Sequence, residues 1–565
     1  MPEYLAPGVY VEETSHRPRS IEGVSTTTTG FIGPTRYGPV SEVPEILTSL
    51  GEFERTYGDG GRLAYDAMRM DNFMWHAVRA FFTEGGKRLH VSRTFLPLAS
   101  PTGSLAVDGH ASRTVGGVTF RARHPGAYGN FTLRLTVRSV RNPLGRVPGS
   151  DAADPVPGRG DSARVVTLAI TVLDTAGVSL GTWPDLPLDP AHRTAGAADS
   201  IFSVFDDSPV SLHLPIVVSH EPGMGALDVL SALFASYDGI ANDVSNGDTL
   251  AAGITRAIVL VGGNDGQRPT VVEYQGKANP DSRTRTGLRQ FEALEDISII
   301  AAPGCTWDYA NDGDNANAII GLLIAHASTM RYCFAIIDCA QQQSISDVRR
   351  MRATLDSSYA ALYFPWVTVM DPITQHTITL PPSGFVAGVY VRNDLTRGVH
   401  KAPANDVITL ALGFEMTLGD AEQAVLNPEG INCFRFFPGR GMRVWGARTI
   451  SSDPEWKYVS LRRYAAYIEH SIDRGTQWAV FEPNGEVLWA GVRRTIEDFL
   501  LNEFRSGALA GDRPERAYFV KCDRTTMTQD DLDNGRLVCL IGLALLRPAE
   551  FVIVRIGQWT ADRKP

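Results

Sequence analysis

Apolar residues follow three patterns along this chain, and each predicts a different element. Continuous apolar runs mark buried strands. In residues 551–556, Val552, Val554 and Ile556 point one way and Phe551 and Ile553 the other, with Trp559 continuing the second side and Arg555 the only charge. A strand loaded on both faces needs cover on both and a partner along each edge. This one lies at the C-terminal end, where a chain is held least. Residues 536–546 read as a long apolar strand and residues 518–521 as a short one. Near the other end, Val9, Tyr10 and Val11 form a strand-like piece after Pro7, followed by a polar, proline-bearing linker over residues 14–20. Residues 26–33 (TTTTGFIG) are β-branched and then apolar, as in a core strand.

Helical spacing appears next. Residues 49–57 predict a short helix begun by Ser49 with Glu52 three residues on. Residues 71–84 place Phe73, Ala77, Ala80 and Phe81 on one face and stop at Gly85-Gly86. A strand follows over residues 87–93. Between residues 101 and 215 the helical period vanishes. Residues 131–137 and 165–173 alternate as strands around a loop, 142–162, rich in proline, glycine and aspartate. This predicts an inserted β-rich domain with long surface loops. Strand and helix then alternate: strands at 257–262, 297–302, 332–337 and 360–370, helices at 315–330 and 344–355. That is the signature of an α/β layer with a largely parallel sheet. Residues 372–382 read as a turn region and residue 383 opens a new element. The last third is α+β, with a short helix at 420–425, a hairpin from 432–438 and 442–449, and amphipathic helices at 459–472 and 489–504.

Composition narrows the class. A chain of 565 residues has room for two to four domains. With 43% hydrophobic and 21% charged residues it is an ordinary folded protein, and 54 glycines with 34 prolines imply many turns. Net charge is −10 and no basic run stands out, so a nucleic-acid partner is not expected. The six cysteines are scattered without a CxxC pair, which predicts reduced thiols in a reducing compartment. The opening MPEYLAPGVYVEE lacks a basic n-region and an apolar core, so folding in the cytoplasm without a secretory signal is expected. No apolar run approaches the length of a membrane span.

Candidate chemistry is sparse. Gly262-Gly263-Asn264-Asp265-Gly266 follows a strand, but Gln267-Arg268-Pro269 replaces the Gly-Lys-Ser/Thr of a phosphate loop, so a tight turn is expected. Gly177-Val178-Ser179-Leu180-Gly181 matches a nucleophile elbow in letters, yet Thr182-Trp183-Pro184-Asp185 cannot open the helix that motif needs. Asp308, Asn311, Asp312 and Asp314 cluster after a strand end, where α/β proteins bind ligands, and read as a helix-capping loop. Cys305 has no histidine close in sequence and reads as an idle thiol. The histidines show no HxxxH or HxH spacing, so no metal site is signalled. No catalytic, cofactor or metal residues are assigned, and a structural protein is the reading.

Motifs in order along the chain resemble the sheath protein of contractile phage tails and related contractile injection systems. They begin with Pro7-Gly8-Val9-Tyr10-Val11-Glu12-Glu13, Arg17-Pro18, Ile21-Glu22-Gly23-Val24, Gly30-Phe31-Ile32-Gly33 and Gly38-Pro39-Val40. Pro125-Gly126-Ala127-Tyr128-Gly129-Asn130, the Gly262 turn and Ala301-Ala302-Pro303-Gly304 follow. The densest block runs from Lys401-Ala402-Pro403-Ala404-Asn405 through Asn427-Pro428-Glu429-Gly430, Trp445-Gly446-Ala447-Arg448-Thr449 and Phe481-Glu482-Pro483-Asn484 to Arg547-Pro548-Ala549-Glu550-Phe551.

The resemblance implies a mixed α/β and α+β, multi-domain sheath-type core. The divisions are an N-terminal extended arm (1–20), an α/β core (21–100 and 216–382), an inserted β-rich outer domain (101–215), a C-terminal α+β domain (383–546) and a C-terminal strand arm (547–565). It implies a subunit that stacks in sixfold rings around an inner tube, meets baseplate and terminator proteins, takes no cofactor or nucleic acid, does not insert directly into a membrane, and is assembled in the bacterial cytoplasm. A head-to-tail contact that does not close on itself gives a helical filament, and contraction is then rigid-body rotation about woven strands. Residues alone leave two pairings open for the arms, Val9–Val11 and Phe551–Ile556: with each other inside one chain, or by exchange between chains. A linker that reaches on the order of 20 Å and a strand bounded by Pro7 and Glu12-Glu13 favour exchange. Asp530, Asp531 and Asp533, in an acidic segment between strands, are the candidate tube contact. The competing expectations are a phosphate-handling hydrolase or another baseplate or virion component.

Overall fold

Thr28–Gly33 is buried along its whole length and lies inside an eight-stranded sheet. The computed structural model describes residues 20–65, 68–98, 108–141, 164–194, 197–234, 254–280, 284–551 and 553. These form two units. The larger comprises residues 27–392 and 403–452; the smaller takes residues up to 26, 393–402 and 453 onward.

In the larger unit the sheet runs in the order Arg88–Arg93, Thr28–Gly33, Ile299–Ala301, Phe334–Asp338, Ala360–Phe364, Ile431–Phe437, Gly441–Val444, Asp406–Val407. The first six are parallel, with Thr29 opposite Ile299, Ile299 opposite Phe334, Ala335 opposite Ala360 and Leu362 opposite Ile431. The last two join antiparallel. Strands covered on both faces read as unbroken apolar runs, and Phe334–Asp338 and Ala360–Phe364 are buried at every position. The 432–449 hairpin joins the main sheet, because Ile431 continues the parallel register of Leu362.

Two helices pack against each other through glycine. Phe73–Thr83 is capped by Asn72, whose side chain accepts the Trp75 N–H at 3.1 Å. A Cβ at Gly384 would lie 2.6 Å from Ala77 Cα, and one at Gly388 would lie 2.7 Å from the Phe81 carbonyl. These two glycines, one turn apart on Ser383–Arg397, bring that helix against Phe73–Thr83. At the end of the contact Glu84 is fully buried and accepts from Arg392 Nη1 (2.8 Å), Thr409 Oγ1 (3.1 Å) and the Leu410 N–H (3.0 Å). Asp338 holds the helix start, accepting the Ser383 N–H at 2.6 Å and its hydroxyl at 2.7 Å.

The β-rich segment contributes two larger antiparallel sheets besides the short pair Arg193–Thr194 and Ala197–Ala198. One is Ile216–His220, Val118–Ala122 and Ser112–Val115; the other is Ile254–Val259, Thr132–Arg141, Arg164–Leu173 and Ser179–Pro187. Phe120, Phe131, Leu135, Ile170, Val172, Phe205 and Ile216 share one core. Two strands lie beyond residue 215. The strand expected at 257–262 in the parallel layer instead runs Ile254–Val259 and pairs antiparallel with Thr132–Val137. The Pro125–Asn130 turn fastens this segment. A Cβ at Gly126 (φ 136°) would meet the Arg36 carbonyl at 2.0 Å, and Asn130 exchanges two 3.0 Å hydrogen bonds with Gly263. Buried Arg93 donates from Nη1 to the carbonyls of Gly38 and Pro125, both at 2.7 Å. The loop expected at 142–162 lies outside the described residues.

Other boundaries move for local reasons. The strand expected over 360–370 breaks at Pro365, which has no N–H for a ladder. Val367–Met370 then pairs with Thr377–Leu380 inside the expected turn region. The helix expected from residue 315 starts at Tyr309 with a kink at Asp312. The long strand expected over 536–546 shortens to Leu540–Leu543, paired with Tyr518–Lys521. The helices at 49–57, 459–472 and 489–504 form as Leu50–Tyr57, Val459–Thr476 and Glu486–Arg505.

Burial pushes the Asp338 carboxyl up to about 7, against the lowering effect of its two Ser383 hydrogen bonds. A folded-state value above the unfolded one means that the native state binds the extra proton. The associated stability is full below about pH 4 and is lost as pH rises through about 7. That rise corresponds to roughly 4 kcal/mol. Burial depresses His76 to about 4 and His124 to about 3, which acts in the opposite direction. Comparison with a variant isolates Asp338. We expect Asp338→Asn to gain stability relative to the parent at pH 8 and to lose that gain at pH 5, read from denaturation midpoints at both pH values. An equal effect at the two pH values would show that Asp338 is ionised throughout.

Candidate functional site

The smaller unit is organised around two helices, Val459–Thr476 and Glu486–Arg505, whose apolar faces bury Tyr464, Ile468, Val492, Ile496, Phe499 and Leu500. Residues 21–26 lie along the first helix as a strap. Arg463, Tyr467, Ser471 and Gly475 recur every fourth residue and so share one face, and each meets the strap. Arg463 Nη2 donates to the Thr26 carbonyl at 3.1 Å. A Cβ at Gly23 would reach the Tyr467 hydroxyl at 2.2 Å, the Val24 N–H donates to Ser471 Oγ at 3.1 Å, and a Cβ at Gly475 would meet Ile21 at 2.5 Å. The strap therefore runs antiparallel to the helix and delivers the chain preceding residue 21 near its C-terminal end. Val9, Tyr10 and Val11 lie outside the described residues.

The strap is fixed by a buried ion pair. Asp394 accepts from Arg463 Nη2 at 2.6 Å and Nη1 at 3.0 Å, and from Thr26 Oγ1 at 2.7 Å. The two side chains are 2% and 3% exposed, so this fork-to-fork pair is dry. Beside it Tyr464 and Tyr467 donate to the two oxygens of Glu503 at 2.9 and 3.0 Å, and burial raises both phenols.

The hairpin Tyr518–Lys521 and Leu540–Leu543 packs on the second helix through Tyr518 and Val520. Among the described residues neither outer edge of this two-stranded sheet carries a further strand. Phe519 and Leu540 are more than half exposed, and Phe519 lies across Gly542, where a Cβ would meet its ring at 2.1 Å. Two strands alone are marginal in water, and an open edge beside exposed apolar residues is a template for another strand. Phe551 and Ile553, expected in a terminal strand, are 74% and 79% exposed and in no regular element. Val552, Val554 and Ile556 lie outside the described residues.

The acidic segment folds as a one-turn helix, Gln529–Asp533. Asp531 forms a capping box with Thr528, whose N–H and hydroxyl hold its carboxyl below the usual range. Arg536 lies 3.6 Å from both Asp530 and Asp531, and Asp533 accepts from Gln529 at 2.7 Å. An exposed apolar tip was not anticipated from sequence. Val480, Phe481 and Val487 project between the two helices' ends, with Phe481 fully exposed in a left-handed backbone conformation. The Phe481-Glu482-Pro483-Asn484 motif was the available signal.

The sequence-derived chemical candidates serve structure. The Gly262 turn does use positive φ at Gly262 and Gly266, and Asp265 between them accepts the N–H groups of Ala64 and Ala127 at 2.9 Å. Gly177–Gly181 turns from one strand into the next, where a nucleophile elbow must turn into a helix. Asp312 pairs with Arg268 at 3.1 Å, Asn311 donates to Asp308 at 2.7 Å, and Asp314 lies inside the helix. Burial raises the Cys305 thiol far above the range of a nucleophile.

Residues 286–450 match the family model for the phage tail sheath protein central domain, and residues 451–558 match that for the phage tail sheath C-terminal domain. A prophage major tail sheath protein of Pseudomonas aeruginosa is 25% identical over 205 residues, 35% of this chain and 52% of the relative. The tail sheath protein of Escherichia phage P2 is 23% identical over 231 residues, 39% of this chain and 54% of the relative. The chain thus spans about half the length of these curated relatives. Two solved structures share the fold. The sheath complex of an extracellular contractile injection system, PVC, in its contracted state has a TM-score of 0.55 at 19% identity, covering 100% of both chains. The contracted helical sheath of the anti-feeding prophage has a TM-score of 0.54 at 21% identity, covering 98% of this chain and 100% of its own.

Removing one partner of a buried ion pair leaves the other uncompensated, at about 3–5 kcal/mol. We expect Arg463→Ala to destabilise the smaller unit by that amount and to expose the backbone N–H groups of residues 24–26 to hydrogen exchange. Retained protection in that segment would mean that the apolar contacts of Ile21 hold the strap without the pair.

Proposed function

We propose that the chain, whose residues 286–558 match the phage tail sheath domain models, is a structural subunit of a contractile sheath, one that polymerises around an inner tube and contracts to drive the tube through a target envelope. The observation that carries this reading is the consecutive match of the family's central and C-terminal domains over residues 286–558. The smaller unit supplies a physical route to polymerisation. Among the described residues its hairpin carries no further strand on either outer edge and exposes apolar residues, and its strap is held at residues 21–26.

In this reading Val9, Tyr10 and Val11 of one chain, with Phe551, Val552, Ile553, Val554 and Ile556, add strands to the hairpin of a neighbour. Strand addition takes affinity from main-chain hydrogen bonds and register from alternate side chains. Repetition gives stacked sixfold rings around an inner tube, bounded by baseplate and terminator proteins and assembled in the bacterial cytoplasm. The β-rich segment is an inserted domain on the outside. The role is structural, not enzymatic: Asp265, Asp312 and Cys305 are committed to turns, ion pairs and packing. Contraction draws on interface gained in the shorter state, where each further 100 Å² of apolar burial is worth about 2.5 kcal/mol per subunit.

Negative-stain microscopy tests the function. The full chain is expected to give striated hollow tubes, whereas discrete particles with hydrolytic activity would point to an enzyme. Removing residues 1–20 spares the strap, so that variant should stay folded with an almost unchanged melting temperature and form no tubes. Tubes from the truncated chain would mean that the arm pairs within its own protomer.

The acidic helix is the proposed tube contact. Asp531 caps that helix, so its reversal would damage local structure. Asp530→Lys and Asp533→Lys are the informative changes. Exposed ion pairs are worth only about 0–1 kcal/mol each, so the double variant should weaken co-assembly with the tube several-fold, with the difference from the parent shrinking at high salt. Equal co-assembly at all salt concentrations would discard this segment as the contact.

A further inference from the structure

Two cysteines distant in sequence meet at the end of the hairpin in the smaller unit. The ladder pairs Phe519 with Gly542, Val520 with Ile541 and Lys521 with Leu540. One step further in the same register places Cys522 opposite Cys539. The side chains follow the backbone: both cysteines belong to one small apolar cluster with Trp489 and Met527. Just beyond them Thr526 Oγ1 donates to the Val538 carbonyl at 2.7 Å and accepts the Asp523 N–H at 3.3 Å, tying the two chain segments together. Cys522 is 2% exposed against Trp489 and Met527, and Cys539 is half-buried beside them.

Directly opposed residues of an antiparallel pair have Cα atoms about 4.5–5.5 Å apart, inside the roughly 4.4–6.8 Å that a disulfide spans. We propose that Cys522 and Cys539 are a redox-responsive modification site, forming an intramolecular cross-strand disulfide when the protein meets a low-molecular-weight disulfide. The thiolate of Cys539, the more accessible of the two, attacks one sulfur of the small disulfide and releases its other half, which takes up a proton as a thiol. Cys522 then loses its proton to solvent and attacks Cys539 Sγ, displacing the second small thiol. Two protein thiols are oxidised, one disulfide is reduced to two thiols, and no other reactant is consumed.

Reaction is slow at neutral pH, because the thiolate is the attacking form. Burial raises both thiols, Cys539 to about 12, with Asp523 adding to the rise at Cys522 and Glu497 at Cys539, while Arg493 opposes it at Cys522. The pair therefore stays reduced in a reducing compartment and closes outside one. The ring formed encloses the helix Gln529–Asp533 and cross-links the open-edged hairpin. This inference stands on the hairpin geometry and holds whether or not the chain assembles.

The test incubates the purified full chain with oxidised glutathione at pH 8.5 until its thiol count is constant. Alkylation and peptide mass mapping follow. The expected product has lost two hydrogens, keeps four of its six cysteines alkylatable until reduction, and links Cys522 to Cys539. Closing a loop of this length should raise the melting transition by roughly 5 °C. Cys539→Ser, at the less buried position, should abolish both the link and the shift while melting like the reduced parent. Six alkylatable thiols, a glutathione adduct on Cys539 that never resolves, or a link involving another cysteine would each overturn the proposal.

Discussion

A charge inside a protein must meet its counter-charge in the right geometry or not be there at all, and the smaller unit depends on that constraint. Asp394 and Arg463 are both dry, and two guanidinium hydrogen bonds plus the Thr26 hydroxyl satisfy the carboxylate. Such a pair contributes little net stability over a well-packed apolar substitute, because desolvation offsets most of the attraction. Its effect is on position. Three segments far apart in sequence can bring these groups together in one arrangement, and in it the strap lies along a single stripe of the Val459–Thr476 helix.

The larger unit solves the same problem at two other places. Glu84 is buried at the end of its helix and is satisfied by Arg392, Thr409 and the Leu410 N–H. Asp338 ends a central strand and caps the helix starting at Ser383. Between these anchors Gly384 and Gly388 let two helices approach to backbone contact. Close approach and polar anchoring fix the 383–392 part of the Ser383–Arg397 helix against the larger unit's own layer. The proposed contraction by rigid-body movement would need this internal stiffness, since a soft protomer absorbs the stroke.

Where the structure is incomplete is as informative as where it is tight. Among the described residues the hairpin of the smaller unit has two strands, no further strand on either outer edge and a phenylalanine laid over glycine. In the proposed reading, a sheet finished by another molecule's strand converts main-chain hydrogen bonding into assembly without a large preformed apolar patch, and the strap would set the point from which the donor segment departs.

Much of this was legible in the letters. Unbroken apolar runs found the central strands, helical spacing found the amphipathic helices, and Ser49 marked a helix start that the structure caps as expected. Local chemistry decides those features, so a local reading suffices. The sequence also showed that the glycine-rich turn lacked a phosphate loop's lysine. It could not show that residues 431–444 join the main sheet, that the 254–259 strand belongs to the β-rich segment, or that the apolar run 536–546 pairs over only Leu540–Leu543. Those outcomes rest on which edge is free when the chain returns, and edges are made by the rest of the fold. Asp394, Arg463 and Thr26 carry no motif, and Cys522 and Cys539 look unrelated until the hairpin register sets them opposite each other. Pairing between residues hundreds of positions apart is a property of the folded backbone, and the tertiary structure alone decided it.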